Sequence, residues 1–114
     1  MLTRHEMKNY VISQMDKLAS LAIDDDDAYK NELWTKLSSY SLILDGVLSG
    51  DSPTSIVHHL KFTISGDFEE VARLERKKKL SLRDEADIER IHIKRRIKQE
   101  CLTQFNAIID ARLK

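Results

Sequence analysis

Apolar residues recur along this chain every three or four positions, the period at which side chains return to one face of a helix. Met7, Val11, Met15, Leu18 and Ala22 are separated by 4, 4, 3 and 4 residues, with Tyr10, Ile12, Leu21 and Ile23 widening the stripe. The spacing predicts a first helix of about 20 residues. Thr3 with Glu6 three positions on forms a capping box at its start, hydroxyl and carboxylate each taking an otherwise orphaned N–H. Leu33, Leu37, Tyr40, Leu44 and Val47 then repeat at 4, 3, 4 and 3, flanked by Trp34, Ser41 and Leu48. Gly50 is expected to end this second helix in a left-handed conformation. Asp24 to Asp27 separate the two stripes and suit a helix end and a cap, so the two helices read as an antiparallel hairpin. Trp34 and Tyr40 are expected in the core. Either one left outside it would mark a contact surface.

The middle of the chain is less regular. Ser52 with Pro53 predicts a helix start, because proline at the first helical position forfeits no bond. Ile56, Val57, Leu60 and Ile64 then fit a short helix, although Phe62-Thr63-Ile64 suits extended backbone and leaves residues 62–66 open between helix and strand. Asp67 to Glu70 forms a second capping-box pattern, predicting a helix that buries Phe68, Val71 and Leu74. Ser81 to Asp84 resembles a third, which leaves two expectations open: a break near Leu80 before the final helix, or a helix that runs through. From there to Leu113 apolar residues keep mostly helical spacing. The stretch from Cys101 reads as well packed, and Ile88 to Lys98 as only partly covered, since Arg90, Lys94 and Lys98 fall near the centre of the apolar stripe.

Composition agrees with this picture. The 114 residues suit one domain, and 3 Gly with 1 Pro are too few turn formers for a many-stranded sheet. The expected fold is therefore all-α: a single domain over 1–114, a bundle of four to five helices with an N-terminal hairpin and a long C-terminal helix. No apolar run reaches the ~18 residues of a membrane span. No secretory cleavage pattern is present, and a lone cysteine, Cys101, agrees with a reducing compartment. The expectation is a soluble, cytoplasmic protein without membrane contact.

Charge changes the picture most. Residues 1–70 hold 6 Lys/Arg against 12 Asp/Glu, and residues 71–114 hold 13 against 7, so halves of −6 and +6 cancel. The basic half carries the candidate binding residues. Arg76, Lys77, Lys78, Lys79 and Arg83 form one group, and Arg90, Lys94, Arg95, Arg96 and Lys98 a second, with Arg90, Lys94 and Lys98 at i, i+4 and i+8. The residues four positions before that ridge are Ala86, Arg90 and Lys94, so no i+4 acid neutralises it, although Asp87 can reach Arg90 at i+3. Such cations suit an acidic protein surface or phosphates. The plain alternative is pairing with Asp16, Asp24 to Asp27, Glu69 or Glu70, worth about 0–1 kcal/mol per surface pair.

Catalytic and metal signals are weak. Asp24 to Asp27 lacks the central Gly and distant Glu of a calcium loop. His5, His58, His59 and His92 show no i, i+4 pair or Cys-x-x-Cys companion, and Cys101 fits a buried small hydrophobe. No nucleotide loop or nucleophile elbow is present. The expectation is no enzyme, no cofactor and no metal. The leading reading is a small protein-interaction module, a regulator, adaptor, chaperone or inhibitor docking a helical face and a basic surface onto another protein, with homodimerisation as a variant. The alternative is a nucleic-acid-binding accessory protein using the basic segment 73–98, which lacks aromatics for base stacking.

Overall fold

Four α-helices follow one another with no strand among the described residues: α1 Leu2–Ser20, α2 Asp27–Ser49, α3 Pro53–Glu75 and α4 Leu82–Leu113. They belong to a computed structural model that describes the backbone of residues 2–20, 27–50 and 52–113, and side chains of 3–20, 32–50 and 52–111. The expectations placed on Leu21 to Asp26, and on the Asp27 side chain, lie outside the described residues.

Two of the expected helix starts are present. Ser52 stands in extended backbone and its hydroxyl accepts the Ser55 N–H at 3.1 Å, with Pro53 next to it in the first turn of α3. At α4 the capping box closes in both directions: the Asp84 N–H donates to Ser81 Oγ at 3.0 Å, and the Ser81 N–H donates to Asp84 Oδ2 at 3.1 Å. These bonds satisfy donors that the first turn leaves without intrahelical partners. That backbone bond, with Lys77 Nζ at 3.0 Å from Oδ1, holds the Asp84 carboxyl below the usual carboxylate range.

Three local expectations fail. Thr3 is not a cap, because α1 already includes Leu2. Gly50 does not adopt a left-handed conformation. Its role is spatial: a Cβ there would lie 2.5 Å from Ile56 Cγ1 and 2.9 Å from the Gly46 carbonyl, so the absent side chain lets α3 turn back tightly against the end of α2. The third concerns residues 62–70, where no break and no cap occur and α3 runs through. Leu60, Ile64, Val71 and Leu74 hold helical spacing across the segment and are all buried, so packing of one face overrides the β preference of Phe62-Thr63-Ile64. Thr63 Oγ1 settles into the helix by donating to the Leu60 carbonyl at 2.9 Å.

The end of α2 is closed from a distance. Arg4, in the first turns of α1, donates through Nε to the Val47 carbonyl at 2.8 Å and through Nη2 to the Leu48 carbonyl. Carbonyls of a last turn lack intrahelical donors and sit at the negative end of the helix dipole, so a guanidinium is well suited to them. This contact fixes the antiparallel register of α1 and α2.

All four helices feed one core. Met7 and Val11 come from α1, Tyr40, Ile43 and Val47 from α2, Ile56, Val57, Leu60 and Ile64 from α3, and Ile97, Cys101 and Phe105 from α4. Burial of each large side chain is worth roughly 1.5–3 kcal/mol. Phe105, fully buried, also meets Tyr10 edge-on at 6.3 Å and 80°. The expected partial cover of α4 is present: Ile93 and Ile97 are buried, Ile88 and Ile91 only half so. Trp34 and Tyr40 part company, Tyr40 buried and Trp34 69% exposed. Phe68, expected inside, is 49% exposed.

The packing is lopsided in a way that shapes the surface. α4 packs on α3, α2 and α1, and α2 also packs closely on α1, whereas α2 and α3 touch least of these pairs. α1 thus covers one flank of the α2–α4 contact. On the other flank α3 leans toward α4, and a cleft opens between α2 and α3.

Candidate functional site

The basic residues singled out by sequence do not form one ridge. Arg76, Lys77, Lys78 and Lys79 occupy the connection between α3 and α4, and Arg83 the first turn of α4, all exposed. Lys77 is taken by Asp84. Among the described residues no ion pair engages Arg76, Lys78, Lys79 or Arg83, so these four make a basic tip at one end of the α3–α4 hairpin.

Along α4 the cations diverge. Arg90 Nη2 pairs with Asp87 at 3.0 Å, the i, i+3 contact its spacing allows. Arg95 lies flat over Phe68, its guanidinium carbon 4.5 Å from the ring centroid, and its Nε is buried without a hydrogen-bond partner. That cation–π contact explains why Phe68 is covered from outside rather than buried. Lys98 Nζ reaches Asp67 Oδ2 of α3 at 2.7 Å, with about a fifth of either side chain exposed. Arg96 turns to the opposite side, beside Lys17, Lys36, Tyr40 and Glu100. Of the i, i+4, i+8 series only Lys94 lacks a carboxylate among the described residues, and it faces the cleft.

The cleft has a volume of about 600 Å³. Leu42, Ile43, Ile56 and Leu60 give it apolar surface, and Ser39, Gly46, Ser49 and Gly50 keep the rest of the α2 wall short. Lys94, Lys98, Asp67 and His59 are its charged or titratable groups. Asp67, the one acid, is engaged by Lys98, so the wall keeps an unmatched positive charge at Lys94. Leu42, on the lip, is 65% exposed, and Phe62, one turn beyond His59 on α3, is 74% exposed.

Two titratable groups in the core are held protonated. Cys101 is fully buried, and burial first, then Glu100, pushes its thiol up to about 12. A thiolate is therefore scarce at neutral pH. Burial likewise pushes the Tyr40 hydroxyl up, helped by Cys101 and Glu100. His58 and His59 are both exposed, and no cluster of three His, Cys, Asp or Glu able to hold a metal occurs among the described residues. Nor is any described helix long and apolar enough to cross a membrane.

Sequence reasoning missed Arg4, the Asp67–Lys98 pair, the Arg95–Phe68 contact and the cleft. A signal existed for two of them. Lys77–Asp84, Phe68–Arg95 and Asp67–Lys98 lie nearly symmetrically about residues 80–82. Folding the chain back at Ser81 brings Asp67 opposite the α4 cations. Comparison with protein-family models, curated proteins and solved structures gives no match for this chain.

Proposed function

We propose that this chain is a non-enzymatic protein-interaction module: a cytoplasmic helical bundle that docks onto another protein through a helical face and a basic surface. The observation that carries the reading is the apolar cleft between α2 and α3 with Leu42 exposed at its lip. Large hydrophobic side chains beside a concave apolar wall are what a partner's side chains bury against. The basic tip of Arg76, Lys78, Lys79 and Arg83 supplies steering toward an acidic surface.

One observation favours nucleic acid as a second reading: those four cations, without an ion pair among the described residues, cluster in sequence at one end of the α3–α4 hairpin, which suits phosphate contact. Salt separates the two. Neutralising several phosphates gives a steep linear loss of log affinity with log salt, whereas a packed apolar interface responds weakly. The test is affinity capture from native lysate at 50 and 300 mM salt, with wild type beside a variant carrying Glu at 76, 78, 79 and 83. A specific protein retained at high salt supports the module. Only nucleic acid, lost at high salt and lost in the variant, replaces it with the second reading.

A further inference from the structure

We infer that the α2–α3 cleft takes an acidic amphipathic α-helix of a partner protein, laid along α2 and placing a carboxylate at Lys94. The inference rests on the interaction-module reading and names the chemistry of the partner.

Four observations converge. The cleft is elongated: its α2 wall runs from Ser39 to Gly50, about 16 Å or three helical turns at 1.5 Å per residue. Its α2 wall is low at Gly46, where an added Cβ would meet nothing within 4 Å, so another helix can approach the α2 backbone closely there. The molecule already contains the same solution on the other flank of α2, where α1 packs against both α2 and α4. Leu42, 65% exposed on the lip, lies where a helix in the cleft would cover it, and a small molecule on the floor would leave it in water.

Charge selects the kind of helix. Asp67 is already held by Lys98 at 2.7 Å, which leaves Lys94 half-buried beside apolar surface with no carboxylate among the described residues. A carboxylate brought to Lys94 gains an ion pair partly shielded from water, whereas a cation there meets repulsion and strands two like charges. The partner's apolar i, i+3, i+4 and i+7 residues would face Ile43, Ile56 and Leu60, the recurring helix-in-groove mode.

The test uses the full chain and two fluorescein-labelled 18-residue amphipathic peptides. They share one leucine stripe and carry either four Glu or four Lys on the flanking positions. Binding is read by anisotropy and by methyl chemical shifts of Ile43 and Leu60. The Glu peptide is expected to bind at least tenfold more tightly than the Lys peptide and to shift those methyls. Gly46→Leu fills the cleft at a position with open space and replaces a helix-weakening residue, so its thermal midpoint is expected to hold or rise while Glu-peptide affinity falls at least tenfold. Lys94→Glu is expected to reverse the preference between the peptides. Absence of binding by both peptides overturns the inference, as does equal affinity, or binding unchanged by Gly46→Leu. A concentration-dependent dimer abolished by Gly46→Leu also overturns it, since a second copy would then fill the cleft. If lysate capture retains a specific protein that Gly46→Leu does not release, the occupant fails while the module reading stands.

Discussion

Replacing Gly50 by alanine is the sharpest check on how α2 and α3 meet. The new Cβ would sit 2.5 Å from Ile56 Cγ1, 3.0 Å from its Cδ1 and 2.9 Å from the Gly46 carbonyl oxygen. None of these can retreat cheaply, since Ile56 is buried in the core at 7% exposure and the carbonyl is backbone. Overpacking of this kind costs about 1–3 kcal/mol. Alanine also narrows the unfolded ensemble, which returns about 0.4–1 kcal/mol. The net expectation is a loss of about 1–2 kcal/mol, or roughly 4–8 °C in Tm at about 4 °C per kcal/mol for a chain of this size. Gly66→Ala is the matched control: it lies inside α3, its Cβ would meet nothing within 4 Å, and it should gain about 0.5–1 kcal/mol. Urea and thermal unfolding followed by far-UV circular dichroism give both values. A double variant with Ile56→Ala should show a favourable coupling of at least about 1 kcal/mol with Gly50→Ala, because removing the Ile56 side chain relieves the crowding. If Gly50→Ala proves neutral or stabilising, or the coupling is zero, the close approach does not exist and the α2–α3 turn is built differently.

Other outcomes follow from the same contacts. Arg4→Ala, which uncaps the last turn of α2, should cost about 1–2 kcal/mol by urea titration, hydrogen bonds from charged donors being the stronger kind. Asp67→Asn leaves Lys98 partly buried without its counter-charge and should lose about 1–2 kcal/mol, much of it recovered when Lys98→Met is added. Cys101, with its thiol raised from 9.0 to about 12, should resist iodoacetamide at pH 8 until the protein unfolds. The folded chain holds that proton longer than the unfolded one, so stability is intact below pH 9 and falls as pH rises toward 12, by up to about 1.4 kcal/mol per unit. Tyr40 adds to the loss at higher pH, and Cys101→Ala should flatten the limb between pH 9 and 10 in unfolding titrations.

What periodicity could reveal was the class of the fold and the positions of long, regular stripes. Val11, Tyr40, Leu60 and Phe105 are core residues because a 3.6-residue repeat has only one physical use in a chain with so few turn formers. Ser52 and Ser81 were legible for the same local reason, since a cap is decided within four residues. Asp67 shows where local rules stop. It has the spacing of a cap, but a helix already running with buried Leu60 and Ile64 behind it offers no free N–H to cap, and its carboxylate turns to Lys98. Arg95 was one of ten cations alike in sequence, and only the antiparallel register of α3 and α4 gives it Phe68. The cleft was not legible at all. It arises from how far α3 leans, which depends on the sum of side-chain volumes across the core rather than on any motif.

The place of α4 at the centre of the packing sets an order of events during synthesis. The ribosome makes this helix after the other three, and Ile97, Cys101 and Phe105 are the pieces that complete the interior shared by α1, α2 and α3. Translation at ~5–20 residues per second separates Glu75, the end of α3, from Phe105 by roughly 1.5–6 s. For that interval the greasy faces of the first three helices wait without the element that joins them, the condition in which a nascent chain is prone to aggregate.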